Sequence, residues 1–120
     1  MQIVLITNRV CCADDLDLHV RTPDGTEISF IYDKDFLTGG ELDHDDCRSS
    51  CNFGRHSENI NFPLDGSAPD GTYKYWVENY AQRNAPDQWS VAVYENNVYI
   101  TGHVGILNDG ASSPMFNYTK

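Results

Sequence analysis

Residues 14–20, Asp14-Asp15-Leu16-Asp17-Leu18-His19-Val20, alternate strictly between polar and apolar after the first position. A β-strand is the element that puts every second side chain on one face. This stretch therefore belongs in a sheet, with Leu16, Leu18 and Val20 turned to a core. Asp15, Asp17 and His19 then share the opposite face. Two carboxylates lined up in this way repel one another unless a cation or several hydrogen-bond donors offset their charge. The same seven residues thus demand a covered apolar sheet face and mark the first place to look for chemistry.

The rest of the chain reads as more strands. Gln2 to Thr7 is a continuous apolar, β-branched run, expected as a buried strand. Thr22-Pro23-Asp24-Gly25-Thr26 has the residues of a tight turn, Pro setting φ and Gly accepting a positive φ. Residues 27–32 form the second arm of that hairpin. Residues 58–62 alternate, residues 72–80 are aromatic-rich, and residues 89–94 and 98–104 flank Glu95-Asn96-Asn97 as a hairpin. Residues 115–118 are a closing strand. Residues 33–55, rich in Gly and Asp, read as one long loop of the functional or cross-linked kind. No segment has a helical period. Seven or eight short antiparallel strands with frequent turn signals predict an all-β, single-domain β-sandwich or jelly-roll-like fold over residues 1–120.

Charge narrows the partners. Lys plus Arg number 8 against 18 Asp plus Glu, a formal net charge of -10. Phosphate backbones and anionic membrane surfaces need basic partners, so nucleic acid and anionic membrane surfaces are excluded. No apolar run is long enough to span a bilayer as a helix. Residues 1–10 are apolar but lack the basic start and cleavage site of a signal peptide. The four cysteines, Cys11, Cys12, Cys47 and Cys51, favour disulfides that tie the entry of the second strand to the central loop. A four-thiolate zinc site is the lesser alternative, because neighbouring residues on an extended chain point to opposite faces.

Calcium takes six to eight oxygen ligands from carboxylates and carbonyls. Asp15 and Asp17 offer two on one strand face, Asp43 and Asp45 two more at Asp-x-Asp spacing, and Glu58 a fifth. They are the expected metal ligands, with calcium ahead of zinc. His19 is expected to be a structural, hydrogen-bonding residue. The chain has no Gly-x-Ser-x-Gly, no phosphate-cradling glycine loop and no His-Glu-x-x-His, so a non-enzyme is expected. Trp76 and Trp89 are expected in the core. Tyr73, Tyr75 and Tyr80 are candidate ligand contacts on an outer face.

Asp15-Leu16-Asp17-Leu18-His19-Val20-x-x-Pro23-x-Gly25, Gly39-Gly40-x-Leu42-Asp43-x-Asp45, Glu58-Asn59-Ile60, Gly71-Thr72-Tyr73 and Glu78-Asn79-Tyr80 occur in that order. Over residues 14–104 this pattern resembles the YfaP-like family, a domain of unknown function (DUF2135). The resemblance implies a small β-sandwich module of secreted or surface bacterial proteins, with no established catalytic activity. The Asp-x-Asp strand also resembles, more weakly, calcium-binding TerD-like sandwiches. The Cys11-Cys12 pair and the Cys47 to Cys51 stretch depart from the family pattern and mark a specialised member. The expectation is a calcium-stabilised, disulfide-linked module in an extracellular, cell-surface or periplasmic setting. It serves adhesion or binding of a protein or glycan. The alternative is a structural subunit that pairs with copies of itself by edge strands, with Gln2 to Thr7 as the candidate edge.

Overall fold

A computed structural model of the chain describes residues 1–7, 15–44, 56–81, 87–107 and 111–120. For Thr7, Asp15, His44, His56, Tyr80, Ala81 and Asp87 it describes the backbone alone. The strands are β1 (Gln2–Thr7), β2 (Asp15–Arg21), β3 (Glu27–Ile28), β4 (Glu41–His44), β5 (His56–Asn61), β6 (Thr72–Ala81), β7 (Asp87–Glu95), β8 (Val98–Leu107) and β9 (Phe116–Thr119). They build a five-stranded sheet in the order β4-β5-β1-β7-β8 and a four-stranded sheet in the order β3-β2-β6-β9. All named pairings are antiparallel.

The period-two pattern decides the faces. Leu16, Leu18 and Val20 stand opposite Asn79, Val77 and Tyr75 in register, and all six are buried. Ile3, Leu5, Ile60, Trp89, Val91 and Val93 supply the facing layer from the other sheet. One core therefore spans both sheets, as a β-sandwich requires. Trp89 lies over its register partner Gly105, where a Cβ would sit 2.5 Å from the indole. The indole occupies the space a side chain would otherwise take.

Three expectations about strands are corrected. Gln2–Thr7 is central, paired along its whole length with β5 on one side and β7 on the other, so it is not an edge. Its unbroken apolar character suits a strand with Ile3 and Leu5 in the core and Val4 and Ile6 half-buried outside. The arm expected over residues 27–32 pairs only at Glu27 and Ile28. Beyond them Ser29 N–H donates to the Tyr32 carbonyl at 3.0 Å and Ile31 N–H to Ser29 Oγ at 3.3 Å, which turns the chain away. Within residues 33–55, read as loop, Glu41–His44 is a strand on β5. Its anchor is Leu42, 7% exposed between acidic neighbours, too short a signal to read from alternation.

Tyr73 and Tyr75 are fully buried, so they are core residues and not ligand contacts. Both fall on the inner face of β6 with Val77. The Tyr73 hydroxyl donates to the Pro69 carbonyl at 2.7 Å. The Tyr75 hydroxyl is buried without a hydrogen-bond partner among the described residues. Removing each hydroxyl therefore has opposite consequences. Tyr73→Phe is expected to cost about 1 kcal/mol, whereas Tyr75→Phe is neutral or stabilising. Urea denaturation of both variants checks this. Burial, then the carboxylates of Asp24 and Asp70, pushes Tyr73 up to about 12. The folded state thus keeps a proton that the unfolded chain loses above the ordinary tyrosine value. Stability is accordingly expected to fall as pH rises from about 10 towards 12.

Candidate functional site

The outer face of the four-stranded sheet is charged. His19 lies flat on Trp76, with ring centroids 5.2 Å apart and planes 12° from parallel. Its Nδ1 is 3.3 Å from Glu27 Oε2 and its Nε2 is 3.0 Å from Glu78 Oε2. The ring thus joins β3, β2 and β6 through two carboxylates. The Nδ1–Glu27 contact has hydrogen-bond geometry, whereas Nε2 approaches Glu78 as an ion-pair contact without it. Arg21 sits 5.4 Å over the same indole and 3.6 Å from Glu27. Trp76 is therefore not a core residue. It is 7% exposed because His19 and Arg21 cover it on the outside. His19 has the geometry of a cross-strand structural pin.

The expected metal ligands separate. Glu58 faces inward from β5 and is 2% exposed. Its Oε2 accepts from the Leu18 backbone N–H at 2.8 Å. Among the described residues, only Val20 and Arg21 have strand partners on the β3 side of β2. Glu58 thus bonds the backbone of one sheet from the other. Asp17, which strand alternation turns away from the Leu16 and Leu18 face, is also buried. Asp43 falls at an irregularity in the β4–β5 register, is exposed, and accepts from Asn61 Nδ2 on the outer face of the five-stranded sheet. Strand alternation turns Glu58 and Asp43 to opposite faces, so one ion cannot take both as expected. The side chains of Asp15 and Tyr80, and Asp45, Cys11, Cys12, Cys47 and Cys51 entirely, lie outside the described residues. Among the described residues no three His, Cys, Asp or Glu side chains form a group able to hold a metal.

The outer face of the five-stranded sheet was not legible as a site. From β5 across to β8 it presents Ser57, Asn59 and Asn61, then Val4 and Ile6, then Ser90, Ala92 and Tyr94, then Tyr99, Gly102, Val104 and Ile106. None of these is charged, in a chain where 22% of residues are. Ser90, Ala92 and Gly102 form a low floor between larger neighbours, leaving a trough of about 320 Å³ bounded by Val4, Ile6, Tyr99 and Val104. Val104 is 81% exposed, and Val98, Tyr99 and Ile106 are each more than half exposed. A contiguous exposed apolar strip of this kind marks a contact surface.

The same strip ends at an edge with which no other described strand pairs. β8 is the terminal strand of its sheet and is ten residues long, with no Asp, Glu, Lys or Arg. The other terminal strands are short: β3 has two residues, and β4 and β9 have four each. β4 also carries Glu41, Asp43 and a register irregularity. Short strands, charges and bulges are the devices that block pairing at an edge. β8 lacks the first two; its one register irregularity leaves Ile100 out of the ladder with β7, and no described residue pairs with its outer side. The signal for this in the sequence was VYITGHVGIL itself, an uncharged run as long as any strand in the chain.

The fold is an all-β sandwich with an exposed apolar strip on the outer face of its five-stranded sheet. In comparisons with known proteins, the chain matches no family model, no curated protein and no solved structure.

Proposed function

We propose that this chain is a non-catalytic structural module that assembles with copies of itself by pairing its β8 edges. The observation that carries the reading is a long edge strand, free of Asp, Glu, Lys and Arg and unpaired on its outer side among the described residues, continuous with a sheet face whose carboxylates, Glu41 and Asp43, stand on the far strand β4. A basic partner would be drawn to the acidic surface elsewhere. Two copies of net charge -10 can approach closely only where no carboxylates meet. Antiparallel pairing of a strand with its own copy is two-fold symmetric and keeps outward residues outward. It merges two five-stranded sheets and joins their apolar strips. Sedimentation velocity on the purified, non-reduced domain over a dilution series tests this. The expected result is a dimer that dissociates on dilution; a monomer at every concentration contradicts it.

The proposal includes calcium stabilisation and disulfides among Cys11, Cys12, Cys47 and Cys51, both read from the residues themselves, and work outside the cytosol, as the YfaP-like resemblance implies. With Asp43 turned to the far face and Glu58 engaged with Leu18, calcium falls to Asp15, Asp17 and Asp45. Adding calcium to EDTA-treated protein is expected to raise the thermal midpoint, and Asp17→Asn to abolish the rise. At about a hundred times Kd the linkage is worth about 2.7 kcal/mol. An unchanged midpoint removes calcium from the account and leaves the assembly reading in place.

A further inference from the structure

A second concavity lies where β7 turns into β8, at one end of the sandwich. It has a volume of about 220 Å³ and is lined by four carboxamides, those of Gln2, Asn61, Asn96 and Asn97. Tyr94 and Leu64 give it an apolar wall. The Tyr94 ring is set edge-on against Tyr99, with centroids 5.9 Å apart. No charged side chain lines it. Asp43, the neighbouring carboxylate, accepts from Asn61 Nδ2, which fixes the orientation of that amide and directs its Oδ1 away from Asp43.

This chemistry selects its ligand. A phosphate or carboxylate ligand needs cationic donors, and a metal ion needs anionic oxygens; no lining side chain is charged, and the ammonium of Met1, which also lines the concavity, is already paired with Glu95 Oε2 at 3.6 Å. Each carboxamide offers two N–H donors and one acceptor, the complement of adjacent hydroxyls that both donate and accept. The aromatic ring and Leu64 suit a ligand with a C–H face. A neutral pyranose presents a hydroxyl edge and a C–H face together. The volume suits one sugar ring, with the rest of a chain running into solvent. We infer that this end of the sandwich binds a neutral saccharide, held by the four carboxamides with one ring face against Tyr94.

The turn residues separate this role from a purely structural one. Asn96 and Asn97 have φ of 49° and 66°, the left-handed values of the tight hairpin turns. Glycine at the second position is the least strained choice for such a turn, yet Asn97 keeps a carboxamide there. If Asn97 served the turn alone, Asn97→Gly would leave binding untouched.

The test titrates isotope-labelled protein with the methyl glycosides of glucose, galactose, mannose and N-acetylglucosamine, followed by NMR. At least one is expected to shift the side-chain amides of Gln2, Asn61, Asn96 and Asn97. Asn97→Gly is expected to fold with equal or greater thermal stability and to bind about tenfold more weakly, the worth of one hydrogen bond. Tyr94→Ser is expected to weaken binding further while the strands stay intact. No shift with any of the four glycosides overturns the inference. So do shifts confined to other surfaces, or an Asn97→Gly variant that binds as the parent does. The outcome is independent of assembly, because the Asn96-Asn97 turn lies beyond the end of the β8 edge.

Discussion

Glu58→Ala is expected to destabilise the domain by about 2–4 kcal/mol, as much as truncating a core aliphatic side chain. Two costs combine. The Leu18 N–H, bonded at 2.8 Å to Glu58 Oε2, would be left buried without an acceptor. The truncated side chain would also leave a void at a position that is 2% exposed. Glu58→Gln keeps an oxygen of the same reach and is expected to cost about 1 kcal/mol. The gap between the two variants, measured by urea denaturation, isolates the inter-sheet hydrogen bond from the charge. Equal losses would mean that the charge, and not the bond to Leu18, holds Glu58 in place.

Val104→Glu is expected to abolish assembly while leaving the fold unchanged. Val104 is 81% exposed on the outer face of β8, so the substitution removes little packing within one copy. Exposed substitutions of this kind typically change stability by less than about 0.5 kcal/mol. In the pair of copies the position lies near the middle of the strand, hence near the two-fold axis. Two carboxylates then meet across a newly formed sheet, at a strip where the parent chain carries no charge. Like charges placed opposite one another in this way weaken the association about a hundredfold. Ile106→Glu, 60% exposed and farther from the middle, is expected to act in the same direction with a smaller effect. Sedimentation and thermal melts of the same samples separate the two quantities. A loss of dimer accompanied by a drop in midpoint would point to unfolding, and a retained dimer would remove the edge from the account.

The parts of the fold that were legible are those written in period two. Leu16, Leu18 and Val20 identified β2 and its buried face, and the turn at residues 22–26 closed as its Pro and Gly indicated, with Gly25 at φ 91°. Order across a sheet is not written in any one strand. Gln2–Thr7 reads as apolar whether it is an edge or a centre, and its central place emerges only from pairing with β5 and β7. β4 was hidden because one buried Leu42 between carboxylates carries the whole strand. Tyr73 and Tyr75 were read outward because tyrosine suits both a surface and a core; their common face with Val77 puts them inside. For the site, single carboxylates were legible but their convergence was not. Asp43 and Glu58 sit on neighbouring strands and differ in face, which depends on the register between β4 and β5. The charge-free strip from β5 to β8 is a property of several strands together, assembled from residues more than 100 positions apart, from Val4 to Ile106.

Hydrogen exchange of the β8 backbone amides, read by mass spectrometry at several protein concentrations, tests the central claim most directly. If β8 is the assembly edge, amides within residues 98–107 slow as concentration rises, and Val104→Glu restores fast exchange without altering protection in β1. Fast exchange along β8 at every concentration, or slowing confined to other strands, would contradict the account.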